Sequence, residues 1–430
     1  MPPYRPPLRT RFGIFPVLLA TLCLPIGLRA DPYEVWLVDQ SNSVANYGGR
    51  LHIYDGSDLE GKAASSARPN DVVDLGAETA DLCRDLTGAN PVRPHMLFFN
   101  SDHSHAVLAF VASGHVVVFD ASNRRPLFVA RSSPGSGGAR QAHAAVPSPD
   151  DAGILVCNQN GKLLEWIDTD YDSGLFVHRH DKTVNLAALQ NAQLPDNAPI
   201  CAAIESSGRF GFVTLRGGGV ALVDVQAVPM QVVLYDRTVF APVGCGTQQI
   251  GDWMWIDAGG GLASKLDGFN VYRIPLASLW IPQPIPPSPA SVQWLFSDPS
   301  ENRDAHSIQP TKHGRYAWVF DRTGNVAEIF ETENGQRVNT VPLSRFAGED
   351  PTPDLSDISP SGNRIFVSLR GPNPLSGDPH ASTGSTPGLG IIQVTQAGRS
   401  GFLKEIIRIT NPDAGGVERA DGHGIRVRRK

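Results

Sequence analysis

The sequence predicts an all-β fold, a seven-bladed β-propeller of four-stranded blades, and three observations predict it. Short runs rich in Val, Ile, Phe and Trp alternate with Gly, Pro, Asn and Asp turns along the chain. The pattern recurs about every 55 residues, close to the period of a propeller blade. The two ends of the chain hold complementary parts of one blade, and no amphipathic helical period of useful length interrupts the series.

The strongest repeats align without a gap: HAAVPSPDDAGILVCNQNGKLLEWI from His143 and HSIQPTKHGRYAWVFDRTGNVAEIF from His306. Each reads as a strand, a polar turn, a second strand ending near an aromatic, another turn and a third strand. A third copy, HMLFFNSDHSHAVLAFVASGHVVVF, starts at His95, and weaker copies start at Ile200, Val243 and Asp354. A last fragment, HGIRVRRK, starts at His423 and holds one strand. Before His95 lie three strand-like runs, EVWLVDQS, GRLHIYDG and NDVVDLG. Three strands plus one make the seventh blade, and pairing the C-terminal strand with the N-terminal three removes the edges that an open array would leave. A chain of 430 residues would otherwise suggest two or three domains; ring closure makes residues 31–430 one.

The first 30 residues read as an export signal: Arg5, Arg9 and Arg11, an apolar run from Phe12 to Leu28, then Ala30 before Asp31. Leu22 before Cys23 argues against a lipoprotein cleavage box. No later segment approaches the roughly 20 apolar residues of a spanning helix. The expected location is periplasmic or secreted, with no membrane span in the mature chain. A net charge of −6 offers no basic face, which excludes nucleic acid as a partner and leaves a small molecule or a protein at a propeller face. Four cysteines remain after the signal, Cys83, Cys157, Cys201 and Cys245, and an oxidising compartment permits two disulfides. Cys201 and Cys245, on the innermost strands of adjacent blades, are the favoured pair. No C-x-x-C-H haem attachment, nucleophile elbow, P-loop or dinucleotide fingerprint is present.

The turns PSPDDAG, TKHGRYAWV and SPSGNRIFV resemble those of YVTN-type propellers, a group with lactonase-like and cytochrome cd1-like members. The resemblance covers nearly the whole mature chain and implies the fold; repeat motifs do not specify an activity.

Stacking the repeats brings out the candidate site. The first residues of the seven innermost strands are His95, His143, Ile200, Val243, His306, Asp354 and His423. Histidine is 12 of 430 residues, so four in seven slots is a strong enrichment. In ring order His306, Asp354, His423, His95 and His143 are consecutive and would face one mouth of the central channel. Imidazoles with a carboxylate suit copper, zinc, nickel or iron; copper is the first expectation and zinc the second. Asp304 and Asp421, two residues before a ring histidine, are expected to orient the imidazoles. The nitrous oxide reductase propeller is similar in fold and in channel-facing imidazoles, but three slots here lack His, so its copper cluster and activity are not implied. Two alternatives stand: histidines that pack against neighbouring blades, and a polar site without metal.

Other features carry less. Asp168, Asp170, Asp172 and Gly174 resemble the front of a calcium loop, but Arg179 stands where its glutamate belongs, which favours a surface turn. His178 and His180 read as solvated on an edge strand, and His103 and His105 as turn residues. The glycine runs Gly217–Gly219 and Gly259–Gly261 read as hairpin turns. Residues 79–94 and 371–388 are long insertions able to shape a site on one face. Three functions remain: a metal-binding propeller with a possible oxidoreductase role, a metal-free binding scaffold, and a lactonase-like hydrolase.

Overall fold

The computed structural model describes residues 1–3, 32–61, 64–235, 237–242, 244–259, 267–279, 291–376 and 383–430. The expected export segment, Val243, the end of the second glycine run and the middle of the 371–388 insertion lie outside the described residues. Asp31–Lys430 pack as one compact unit.

Seven antiparallel sheets make a closed ring. Counting from the first complete sheet, the blades cover residues 94–131, 142–185, 199–235, 247–301, 305–342 and 353–408. The seventh joins Gly422–Arg429 to the three N-terminal strands, Tyr33–Asp39, Arg50–Asp55 and Asp71–Asp74. Its closing register sets Tyr33 opposite Arg429 and Leu37 opposite Ile425. Glu34 fastens that seam through Arg428, 3.2 Å away on the closing strand.

Burial sorts the strands by radius. The second strand of each blade is covered on both faces, so its sequence is nearly continuous in apolar residues rather than alternating: Tyr33–Asp39, Gly153–Asn158 and Tyr316–Asp321 are buried throughout. Trp36, Trp255 and Trp318, all on second strands, are fully buried. The outermost strands are half wet, and Gln293–Glu301 carries an exposed Trp294. Between the innermost strands of blades 7 and 1 there is no room for a side chain at Gly424, where a Cβ would run into the His95 carbonyl. That contact brings the strand of His423 against the strand of His95.

Two sequence expectations change. The insertion at 79–94 is not all loop, because Ala80–Thr87 forms a helix that buries Cys83 and ends at Gly88 in the left-handed conformation, φ 72°. The cysteines form one disulfide, Cys201–Cys245, while Cys83 and Cys157 are buried thiols that lie on separate parts of the ring. No helix among the described residues is long and apolar enough to cross a membrane.

Candidate functional site

The backbone prepares each slot in the same way. In six blades the register of the innermost strand against the second slips at its start: at His95, His143, Ile200, His306, Asp354 and His423. A β-bulge of this kind leaves a residue outside the ladder and re-aims its side chain. Here the side chains turn towards one mouth of the channel, where His95, His143, Ile200, His306 and His423 line a cavity of about 310 Å³. Asp354 is fully buried behind His306 and His423.

The five expected residues are brought together, but not into one shell. The His423 ring divides them. Its Nδ1 faces Asp354, 3.4 Å from Oδ2, and His306 Nε2 stands 2.7 Å from Asp354 Oδ1. Donor atoms of His306, Asp354 and His423 all lie within 4.8 Å of one another. Beyond that ion-pair approach, His306 Nδ1 and Nε2, Asp354 Oδ1 and His423 Nδ1 are buried without hydrogen-bond partners. The opposite edge of the His423 ring meets the other two histidines: its Nε2 is 2.9 Å from His95 Nε2, which is 3.2 Å from His143 Nε2.

A relay of hydrogen bonds decides which nitrogens carry protons. Asp421 Oδ2 accepts from Gln40 Nε2 at 2.7 Å, which fixes the amide and leaves Gln40 Oε1 to accept from His95 Nδ1 at 2.8 Å. A neutral imidazole has one N–H, so His95 Nε2 is bare and accepts from His423 Nε2–H. His423 Nδ1 is then bare as well, and it is the atom that faces Asp354 and His306. Asp421 thus acts on the site through Gln40 and His95 rather than on the histidine two residues along its own strand. Asp304 departs from expectation in the same way, since its Oδ2 accepts from Arg322 Nε at 2.6 Å.

Guanidinium groups hold the carboxylates. Arg370 donates to Asp421 through Nε at 2.7 Å and Nη2 at 2.8 Å, and to Asp354 Oδ2 through Nη1 at 2.8 Å. Burial alone would raise the Asp354 carboxyl, but His423, His306, Arg370 and Arg322 together hold it well below the usual carboxylate range. Burial, followed by the mutual repulsion of the imidazoles, pushes His95 well below the usual histidine range. His423 is also well below that range, chiefly through burial, against the pull of Asp354. His95 and His423 are therefore neutral beside an ionised Asp354, and a bare imidazole nitrogen and a carboxylate are the protonation states that metal ligands need.

Sequence reasoning missed the arginines and Gln40. They occupy another column of the repeat, one residue past the second strand: Gln40, Gln159, Arg216, Arg322 and Arg370, with Val111 in blade 1. Stacking the repeats on that column as well would have found them. Both insertions reach the same mouth. Arg93 donates to the Leu375 carbonyl at 2.7 Å, and Arg370 Nη2 lies 3.3 Å from Ser376 Oγ.

The remaining candidates are accounted for. Asp168 pairs with Arg179 at 2.5 Å, and Asp170 accepts from the Ser173 amide at 3.0 Å, a local turn as expected. His178 is not solvated: its Nε2 lies 3.2 Å from buried Glu165, while His180 is exposed. His103 occupies a turn, stacked on Phe99, and His105 opens the next strand. Gly217–Gly219 form a hairpin turn as expected.

No protein-family model and no curated protein sequence matches the chain. Solved structures do. A hypothetical selenium-binding protein from Sulfolobus tokodaii aligns at TM-score 0.63 and 10% identity, over 93% of this chain and 94% of that one. A protein provisionally named a 6-phosphogluconolactonase, from Bacteroides fragilis, aligns at TM-score 0.57 and 13% identity, over 92% and 98%. Hydrazine synthase from Kuenenia stuttgartiensis aligns at TM-score 0.50 and 16% identity, over 70% and 76%. The likeness is one of fold. The seven-bladed propeller expected from the repeats is the architecture of this chain.

Proposed function

We propose that this chain is an exported propeller that holds a divalent transition-metal ion at the mouth of its channel. The ligands are His306 Nε2, Asp354 Oδ1 and His423 Nδ1; His95 and His143 form the supporting layer behind His423. One observation carries this reading: those three donor atoms converge, buried and without hydrogen-bond partners, while the surrounding bonds leave His423 Nδ1 unprotonated. A buried polar atom with no partner is costly, and an ion bound to all three removes that cost together. Copper is the first ion to test in so imidazole-rich a pocket and zinc the second; the carboxylate brings iron(II) into range. Three protein ligands beside a cavity leave positions open for a small molecule, as catalytic metal sites require, and an oxidoreductase role is the activity to screen for. A lactonase-like role is less favoured, because Asp354 is the single carboxylate among the seven slots.

The test is elemental analysis of the mature protein from its native compartment, with His306→Ala and His423→Ala variants. Near-stoichiometric copper, zinc or iron in the wild type, lost in both variants, supports the reading. A folded wild type without metal above background overturns it, and leaves the arc as blade packing or as a metal-free binding face.

A further inference from the structure

The disulfide in the channel wall stands where a second ligand set would form. Cys201 and Cys245 join blade 3 to the segment that enters blade 4. His143 Nδ1 lies 3.8 Å from Cys201 Sγ, and Met96 Sδ lies 3.9 Å from it. Donor atoms of His143, Cys201 and Cys245 fall within 4.8 Å of one another. Cys245 lines both the histidine cavity and a second one, of about 410 Å³, whose lining includes Met96. The disulfide is thus reached from the channel on its Cys245 side, although both cysteines are nearly buried. His143 presents opposite edges of its ring: Nε2 to His95 at 3.2 Å and Nδ1 to the sulfurs.

We infer that reduction of Cys201–Cys245 opens a soft-metal site made of the two thiolates and His143 Nδ1, with the Met96 thioether beside them. Thiolate and thioether donors select thiophilic ions such as Cu(I), Ag(I) and Cd(II). The step balances with a dithiol reductant. The S–S bond takes up two electrons and two protons, the reductant closes to its own disulfide, and the two new thiols release their protons as the cation binds. This site shares no ligand with the His306, Asp354 and His423 set and stands independently of it. Oxidised, the disulfide keeps the sulfurs from ligating; reduced, it places a second ion next to the imidazoles that support the first.

The experiment compares oxidised and dithiol-reduced full-length mature protein, desalted without oxygen and titrated with Cd(II). Cys83 and Cys157 are thiols in both forms, so the difference reports the disulfide alone. The reduced protein is expected to bind one more Cd(II) per chain, with a thiolate-to-metal absorption band in the ultraviolet. His143→Ala should weaken that binding about tenfold or more, and the paired Cys201→Ser, Cys245→Ser variant, checked for folding by circular dichroism, should abolish it. His306→Ala and His423→Ala should leave it intact, which separates this inference from the proposed function. Equal Cd(II) uptake by the two forms would overturn it. So would a native disulfide that yields no new thiols under reduction, or extra uptake that survives the double serine variant.

Discussion

One slot in the repeat is used in two ways around the ring. In blades 5, 6, 7, 1 and 2 it carries His306, Asp354, His423, His95 and His143, a buried polar arc held by Arg370, Arg322, Gln40 and Asp421. In blade 3 the same bulge carries Ile200, and the disulfide replaces the polar network. Blades 3 and 4 meet instead through an apolar cluster that includes Phe212, Phe240, Met254 and Tyr272. Because the bulge is present at Ile200 as well as at the histidines, it belongs to the fold. The site is a choice of side chains on a backbone that six of the blades share. The polar arc is the costly choice: buried charges lose hydration, and pairing returns only part of it. That cost fits a region kept for ligand binding rather than for stability.

The contrast is broken most severely at Arg370. Arg370→Ala leaves Asp354 and Asp421 buried without their guanidinium, and should lower unfolding free energy by about 3–5 kcal/mol in urea titrations. Ile200→Ala, in the innermost-strand slot on the apolar side, removes packing alone and should cost about 2–4 kcal/mol. If the arginine variant is the milder one, the polar arc is not bound together as described.

One buried group on each side should respond to pH in the opposite direction to the other. His115, in blade 1, is fully buried between Thr87 and Ser113, and burial lowers it to about 4. Its contribution is complete above pH 6.5, the unfolded value, and is lost as pH falls from there towards 4. Asp257, in blade 4, is raised to about 7 by burial and by Asp304, against the Gly246 amide and Arg322. The folded state keeps a proton that the unfolded chain has given up, so stability declines as pH rises from about 4 to 7. Each effect is about 2–4 kcal/mol at full extent. Unfolding free energies between pH 4 and 8 should show the acid-side loss flattened in His115→Gln, and the loss towards neutral pH flattened in Asp257→Asn. The smallest effect belongs to the outer surface. Arg209→Ala breaks an exposed pair with Asp224 and should change stability by less than about 1 kcal/mol.

The repeat made the ring and its closing strand legible, because strand period and turn chemistry are local properties. It also made the arc legible, since stacking the blades exposes a column of histidines without any knowledge of contacts. Legibility ended where two columns meet. That His423 divides the arc depends on which edge of its ring faces which neighbour, and that follows from Gln40 and Asp421, far apart in sequence. His178 was misjudged for a related reason: edge-strand spacing reads as solvated, but Glu165 reaches it across the sheet. The helix at Ala80–Thr87 escaped notice because eight residues give too short a period to recognise.

The most direct test of the central claim is X-ray absorption spectroscopy of the metal carried by the purified protein. The account predicts two imidazole nitrogens and a carboxylate oxygen at about 2.0–2.2 Å, with imidazole scattering reduced in His306→Ala. A first shell without imidazole, or one unchanged by His306→Ala and His423→Ala, would contradict it.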